Sequence, residues 1–500
     1  MISVFNKFIL GAFFIITFCA CGNFLEEVSQ DEFEPETTDA YSELLNGAGY
    51  AFAELDGLTW YMDDDIDGVS SYSYTDVYNA CRDIFTWQYY MYQSLKDANV
   101  TDATYENYYE KIMVCNVIID DIEMSVGTES QINMVLGEAL TLRAYYYLQL
   151  VNIFATPYND SRSTPDQRLG VSLVTKSEIR DEGIARSSVA DVYKQITADI
   201  ERAVSLLDQN KTNNGVYRIN YVSAHLIASR IYLYMEEWDK VIEHATQALA
   251  GAPDLVYLPT YAYTNVNYPT NSTNPVVSSS FPETIFVFGS MPGRMGFMGT
   301  PVCLSTDLVS SFSEPNDSRN GMYFKATASG YIYPYQEYKH GVAERGYVWR
   351  TAELYLNRAE AYMEKYKAGA AECGQLAVND LNKLRENRFT NYSNYTLSTA
   401  DDLENLCKLE RRRELFMEGH RWFDLRRYAV SPKYPESKMI RHNIYGEGAS
   451  ASEQVLLGYY ILDTYDKDNG WVLPIPDYAI EFNDGALENN EREDRTFFEL

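Results

Sequence analysis

From residue 37 onward the chain is dominated by apolar positions recurring three and four residues apart, the spacing of one face of a helix. The pattern predicts helices over 37–55, 76–97, 102–124, 128–154, 187–208, 219–235, 238–250, 350–367, 371–388, 399–418 and 420–429. Several of these pair as hairpins. Ala224, Ala228, Ile231 and Tyr232 form one stripe and Trp238, Ile242, Ala245 and Leu249 form the next, with only Glu236 and Glu237 between them. So short a turn allows only antiparallel neighbours, and the alanines let the two helices approach closely. Thr351 to Met363 with Ala370 to Leu384 repeats the arrangement, placing Ala352, Leu356, Ala359 and Tyr362 one turn apart. The expected fold class is mainly α, a scaffold of tetratricopeptide-like helical hairpins whose repeat is degenerate.

Two stretches break the helical period. Residues 251–349 hold nine of the 16 prolines and ten of the 43 tyrosines, so long helices cannot persist there. They are expected to form a loop-rich insertion carried by the scaffold, the kind of place where binding residues collect. A second irregular region is expected over 430–475, ending in Trp471-Val472-Leu473-Pro474-Ile475-Pro476. The N-terminus differs again. Lys7 precedes an apolar run from Phe8 to Phe18, too short to span a bilayer, so residues 1–20 read as a removable signal peptide. Cys21 follows the small Ala20, whereas Cys19 follows the bulky Phe18, so Cys21 is the expected lipidated N-terminus. The expected order is therefore signal peptide 1–20, lipid-anchored acidic tether 21–35, N-terminal helical part 36–250, insertion 251–349, and C-terminal helical part 350–500 with an irregular tail.

Charge and composition narrow the function. The formal net charge of −31 becomes about −32 once Lys7 leaves with the signal, so nucleic acid and anionic lipid surfaces are repelled. Cys81, Cys115, Cys303, Cys373 and Cys407 are odd in number and lack Cys-x-x-Cys spacing, so neither a disulfide framework nor a zinc site is expected. His225, His244, His340, His420 and His442 are the only histidines, and no His-Glu-x-x-His, Gly-x-Ser-x-Gly or phosphate-loop motif accompanies them. A glycoside hydrolase needs only two carboxylates at the correct separation and is the alternative from another class.

The most informative stretch is Glu410 to Tyr428. Glu410, Glu414 and Glu418 lie one turn apart, and Gly419 is expected to end this helix before a second begins. Glu410, Arg411, Arg412, Glu414, Leu415, Glu418, Gly419, Arg421, Asp424, Leu425 and Arg427 together resemble the C-terminal signature of the SusD/RagB family, surface lipoproteins of Bacteroidetes nutrient uptake. Further similarity lies in Arg143 to Leu148, Arg186 to Tyr193, Pro282 to Phe286, Leu381 to Arg385 and Leu473 to Pro476. Phe154-Ala155 stands where the family has Tyr-Gly, and Ser172 where it has a proline. The resemblance implies four tetratricopeptide-like units on one side and a loop-rich ligand face on the other. It also implies a lipid-anchored position at the outer face of the outer membrane, as a lid on a SusC-type TonB-dependent transporter. Such proteins capture a glycan, or in some branches a peptide, without catalysis and without a cofactor. The family-matched arginines and glutamates are expected to join helix to helix through buried ion pairs.

Sugars are held by aromatic faces with amides and carboxylates nearby, so rings in loops are the candidates. The loop after the first helix offers Trp60, Asp65, Tyr72 and Tyr74, with Trp87 further along; the insertion offers Tyr261, Tyr263, Tyr331 and Tyr333. Asp63, Asp65, Asp67 and Gly68 resemble the start of a calcium loop, but its twelfth position is Tyr74, which supplies no carboxylate. A solvated acidic loop with no metal is expected.

Overall fold

The computed structural model describes residues 35–51, 55–56, 58–70, 82–99, 102–178, 182–212, 214–261, 275–289, 302–326, 335–337, 339, 347–448 and 454–500. Residues 1–34, which hold the expected signal peptide and all but the last residue of the expected tether, lie outside these. The helices are α1 (Thr38–Leu44), α2 (Met91–Asp97), α3 (Thr104–Asp121), α4 (Glu129–Phe154), α5 (Val189–Asp208), α6 (Tyr221–Met235), α7 (Trp238–Leu249), α8 (Thr306–Ser310), α9 (Thr351–Lys367), α10 (Ala371–Glu386), α11 (Ala400–Leu415), α12 (Arg421–Ala429) and α13 (Asp477–Phe482). The protein is mainly α. Helices α4 and α5, α6 and α7, and α9 and α10 pack as neighbours in sequence, while α7 also meets α9 and α9 meets α11, which stacks the hairpins into one scaffold. Among the described residues no helix is long and apolar enough to cross a membrane.

Local chemistry sets the helix ends. Thr128 and Gln131 form a reciprocal cap at the start of α4, and Asn220 and Ser223 do the same for α6. Close approach of α4 and α5 depends on Gly137, where an added Cβ would lie 2.7 Å from the Leu207 side chain. At the other end of α4, where the family's Tyr-Gly is replaced by Phe154-Ala155, the chain stops without a glycine. Arg186 donates to the Phe154 carbonyl at 2.9 Å, Arg426 to the Ala155 carbonyl at 2.5 Å, and Arg168 to the Pro157 carbonyl at 2.6 Å. Arg186 and Arg426 thus meet carbonyls at the helix end and its cap, at its negative dipole end, while Arg168 holds the chain just beyond.

The strands are β1 (Ile66–Val69), β2 (Thr284–Phe288), β3 (Val302–Leu304), β4 (Phe324–Ala326), β5 (Tyr335–Glu337), β6 (Tyr347–Arg350), β7 (Ile440–Glu447), β8 (Gln454–Leu462) and β9 (Phe498–Glu499). One sheet has the order β3-β1-β7-β8-β9; β2 pairs with β6 and β4 with β5. Residues 430–475, expected to be irregular, contain β7 and β8, paired antiparallel from Ile440↔Leu462 to Glu447↔Gln454. The described residues of 251–349 include short strands, a 3₁₀ turn at Leu258–Thr260 and α8 rather than loop alone.

The interior is knotted by charge as well as apolar packing. Tyr145, Phe286 and Trp349 join α4 to the β2–β6 pair, with Trp349 4.9 Å from Tyr145 and 4.8 Å from Phe286. Beside them, Glu414 on α11 accepts from Arg350 at 2.5 Å, Arg388 at 2.9 Å and Arg319 at 3.1 Å. Glu418 takes the remaining face of Arg350 at 2.8 Å, and Glu410 accepts from Arg319 at 3.0 Å and Arg385 at 2.5 Å. Lys339 donates to the Glu414 carbonyl at 2.8 Å, the Phe416 carbonyl at 2.9 Å and the Glu418 carboxylate. Helix α11 ends earlier than Gly419: Met417 already has φ 57° and Gly419 φ 77°, and α12 starts two residues later. Those two left-handed turns aim Glu418 back at Arg350 and Lys339.

Candidate functional site

The sequence candidates divide into interior and rim. Asp56 caps the short turn Thr59–Tyr61 by accepting from the Leu58 amide at 2.9 Å and the Thr59 hydroxyl at 2.5 Å. That turn points Trp60 inward, to a cavity of ≈ 10 Å³ shared with Asp56, Tyr145, Arg230 and Trp349. The space holds a water and no sugar. Trp87 is fully buried; its indole N–H donates to the Met62 carbonyl at 3.0 Å and its ring stacks on His442 at 4.1 Å.

Asp65 is fully buried too, accepting from Arg412 at 2.7 Å. Asp64 accepts from Arg421 at 2.6 Å and 2.9 Å and pairs with Lys438. Asp63, 6 % exposed, accepts from the Asp65 amide at 2.9 Å. Burial and the neighbouring Asp65 and Asp64 charges push the Asp63 carboxyl well up, whereas at Asp64 burial is outweighed by Arg412 and Arg421, which hold it well below the usual range. One oxygen of each carboxylate lies within 4.8 Å of the others, and Arg412, Arg421 and Lys438 pair with Asp64 and Asp65. The acidic loop is therefore an internal ion-pair cluster, not the solvated loop expected. Asp65 and Trp87 are corrected from ligand contacts to supports: both partner residues come from beyond position 400 and seal them off.

The other candidates sit at or beyond the rim. Tyr261 is half-buried, edge-on to Phe281 at 5.3 Å. Tyr72, Tyr74, Tyr263, Tyr331 and Tyr333 lie outside the described residues, but the described ends of their segments are joined. Gly68 on β1 pairs with Val302 on β3, and β3 lies against β5, whose Tyr335 pairs with Ala326 on β4. The Val277 amide donates to the Lys339 carbonyl at 3.0 Å, and the Ser278 hydroxyl donates to the Pro275 carbonyl at 2.8 Å. The described ends near 68, 302, 326 and 335 are thus linked by strand contacts, and Val277 is tied to Lys339.

Near these contacts is a groove of ≈ 370 Å³ that sequence reasoning missed, lined by Lys211, Gly215, Asn220, Tyr221, Gly251, Ser279, Ser280 and Phe281 among others. Its walls come from 211–222, 251–253 and 279–285, and no single stretch of sequence carries a sign of it.

Comparison with known proteins adds an independent line. A family model described as "Starch-binding associating with outer membrane" matches residues 23–233, and one described as "SusD family" matches residues 306–491. "SusD-like protein P2" of Formosa agariphila is 23 % identical over 446 residues, covering 79 % of this chain and 81 % of its own. Among solved structures, a SusD superfamily protein of Bacteroides thetaiotaomicron is similar with a TM-score of 0.65 at 21 % identity, over 91 % of this chain and 100 % of that one. A SusD-like carbohydrate binding protein of Bacteroides vulgatus matches with a TM-score of 0.64 at 20 % identity, over 90 % and 97 %.

Proposed function

The chain belongs to the SusD/RagB family, and on that premise we propose that it is a non-catalytic cell-surface protein that captures a glycan and delivers it to a SusC-type TonB-dependent transporter. Cys21 carries the lipid that holds it at the outer membrane. The observation that bears most on the ligand is the joining of the described ends around 70, 302, 326 and 335, from which the segments with Tyr72, Tyr74, Tyr331 and Tyr333 leave. Those four tyrosines, with Tyr261 and Tyr263, are the residues proposed to contact the glycan. Rings are suited to this because each stacks on the apolar C–H face of a pyranose at little conformational cost. The carbohydrate-binding name of the Bacteroides vulgatus neighbour supports a glycan over a peptide.

Affinity electrophoresis of the purified chain in gels containing different neutral and acidic polysaccharides tests this. Retardation by at least one glycan is expected. Retention only by peptides, in a parallel immobilised-peptide assay, overturns the glycan part and leaves the transporter-lid part; no retention of either overturns capture by the isolated chain.

A further inference from the structure

We propose that the groove between the start of α6, the end of α7 and the start of β2 is a separate binding site for a short neutral saccharide of one or two pyranose rings. This rests on the glycan-capture function proposed above but on none of its tyrosines. Its volume, ≈ 370 Å³, falls near the lower end of small-molecule sites, roughly 300–1,000 Å³. That is too small for a branched chain and ample for a chain end.

The walls are held in place. The Val287 amide donates to the Val216 carbonyl at 2.8 Å, tying the 214–218 loop to β2, and Asn220 is locked as the cap of α6. Tyr221 is laid across bare backbone: a Cβ at Gly251 would lie 1.9 Å from its phenolic oxygen, so only glycine leaves room for this ring position. Lys211 sits 5.2 Å from the ring centroid. The ring is therefore a fixed platform, which lowers the ordering cost of binding. Phe281, buried and braced by Tyr261 at 5.3 Å, adds a second aromatic wall.

The polar lining selects the ligand class. Ser279 and Ser280 place hydroxyls at the opening, with Ser280 exposed and 3.1 Å from the Ser278 hydroxyl, and the Tyr221 phenol lines the same space. Among the described residues Lys211 is the one charged side chain in the lining, and it is answered by Asp208 at 3.5 Å and by the Tyr221 ring. With the chain at −31, no uncompensated cation is left to hold an anionic sugar. Two rings, three hydroxyls and a neutralised lysine suit a polyol with an apolar face.

The experiment is saturation-transfer NMR of the full chain with glucose, galactose, mannose, maltose and cellobiose as probes, with galacturonate as the charged comparison. Saturable transfer to at least one neutral probe is expected. Tyr221→Ala should weaken it about tenfold, and Ser280→Trp, an exposed position whose larger ring fills the groove without touching the core, should abolish it. Polysaccharide retardation by the wild-type chain is measured in parallel. Transfer that survives both variants overturns the groove assignment and leaves glycan capture standing, as does stronger binding of galacturonate than of every neutral probe for the neutral-ligand assignment. A wild-type chain that retains no polysaccharide overturns glycan capture whatever the groove does.

Discussion

Replacing Glu414 by glutamine removes one negative charge from the centre of the buried network while keeping its shape. The network balances Arg319, Lys339, Arg350, Arg385, Arg388 and Arg413 against Glu283, Glu314, Asp317, Glu410, Glu414 and Glu418, six of each sign. The variant leaves one uncompensated cation among side chains that are almost all fully buried, and its amide N–H₂ faces guanidinium donors. Breaking a buried pair on one side costs about 3–5 kcal/mol. Unfolding entropy of roughly 2 cal/mol/K per residue gives about 1 kcal/mol/K for a chain of this length, so Tm should fall by about 4 °C. Differential scanning calorimetry is the assay, with Glu123→Gln as the control. Glu123 pairs with Arg202 at the surface, where its side chain is 63 % exposed, so its loss should move stability by no more than about 0.5 kcal/mol. A pH series sharpens the test. Burial pushes the Glu414 carboxyl up, but Arg388, Arg350 and Arg319 outweigh it and hold it well below the usual value. A depressed carboxyl stabilises the fold above its unfolded pKa of about 4.3 and ceases to do so as pH falls through the folded value. The gap between wild type and Glu414→Gln should therefore close in acid. Equal Tm values for wild type and variant at neutral pH would refute the role assigned to this charge.

The His225–His244 pair spans α6 and α7 with its Nδ1 atoms 2.9 Å apart, and burial together with the His225 charge pushes His244 down to about 4. The unfolded chain takes up that proton near pH 6.5, so stability should fall by up to about 3 kcal/mol between pH 6.5 and 4, and His244→Phe should flatten the slope of urea midpoints over that range. Tyr72→Ala and Tyr331→Ala should each weaken polysaccharide retardation roughly fivefold to tenfold, the loss of one aromatic contact, without changing the melting temperature. Cys21→Ala should move the protein from the membrane pellet to the soluble fraction, and continued pelleting would count against lipidation there.

Helices such as α5 and α7 were legible because each buries a stripe at 3.6-residue spacing, and boundaries such as Thr351–Lys367 or Trp238–Leu249 differ from expectation by a residue or so; the helix expected over 76–97 is broken by a turn at 86–90 ahead of Met91–Asp97. The β7–β8 hairpin was hidden although Ile440, His442, Ile444 and Gly446 alternate along one face of β7. A buried histidine and a glycine do not look apolar in a sequence, and the alternation disappears with them. The structural role of Glu410, Glu414 and Glu418 was legible from their spacing and from the family resemblance, though not their partners, since Arg319 and Lys339 come from the stretch 251–349 and Arg350 from the position just after it. Asp65 and Trp87 misled because their partners are remote in sequence: Arg412 and His442 come to them only in the fold. The groove, assembled from three distant stretches, left no sequence trace at all.

The most direct test of non-catalytic glycan capture is calorimetric titration of the purified chain with the polysaccharide that retards it, followed by a reducing-end assay on the same mixture. Saturable heat with no new reducing ends over hours is the predicted result. Steady release of reducing ends would make the chain a glycoside hydrolase and contradict capture without catalysis.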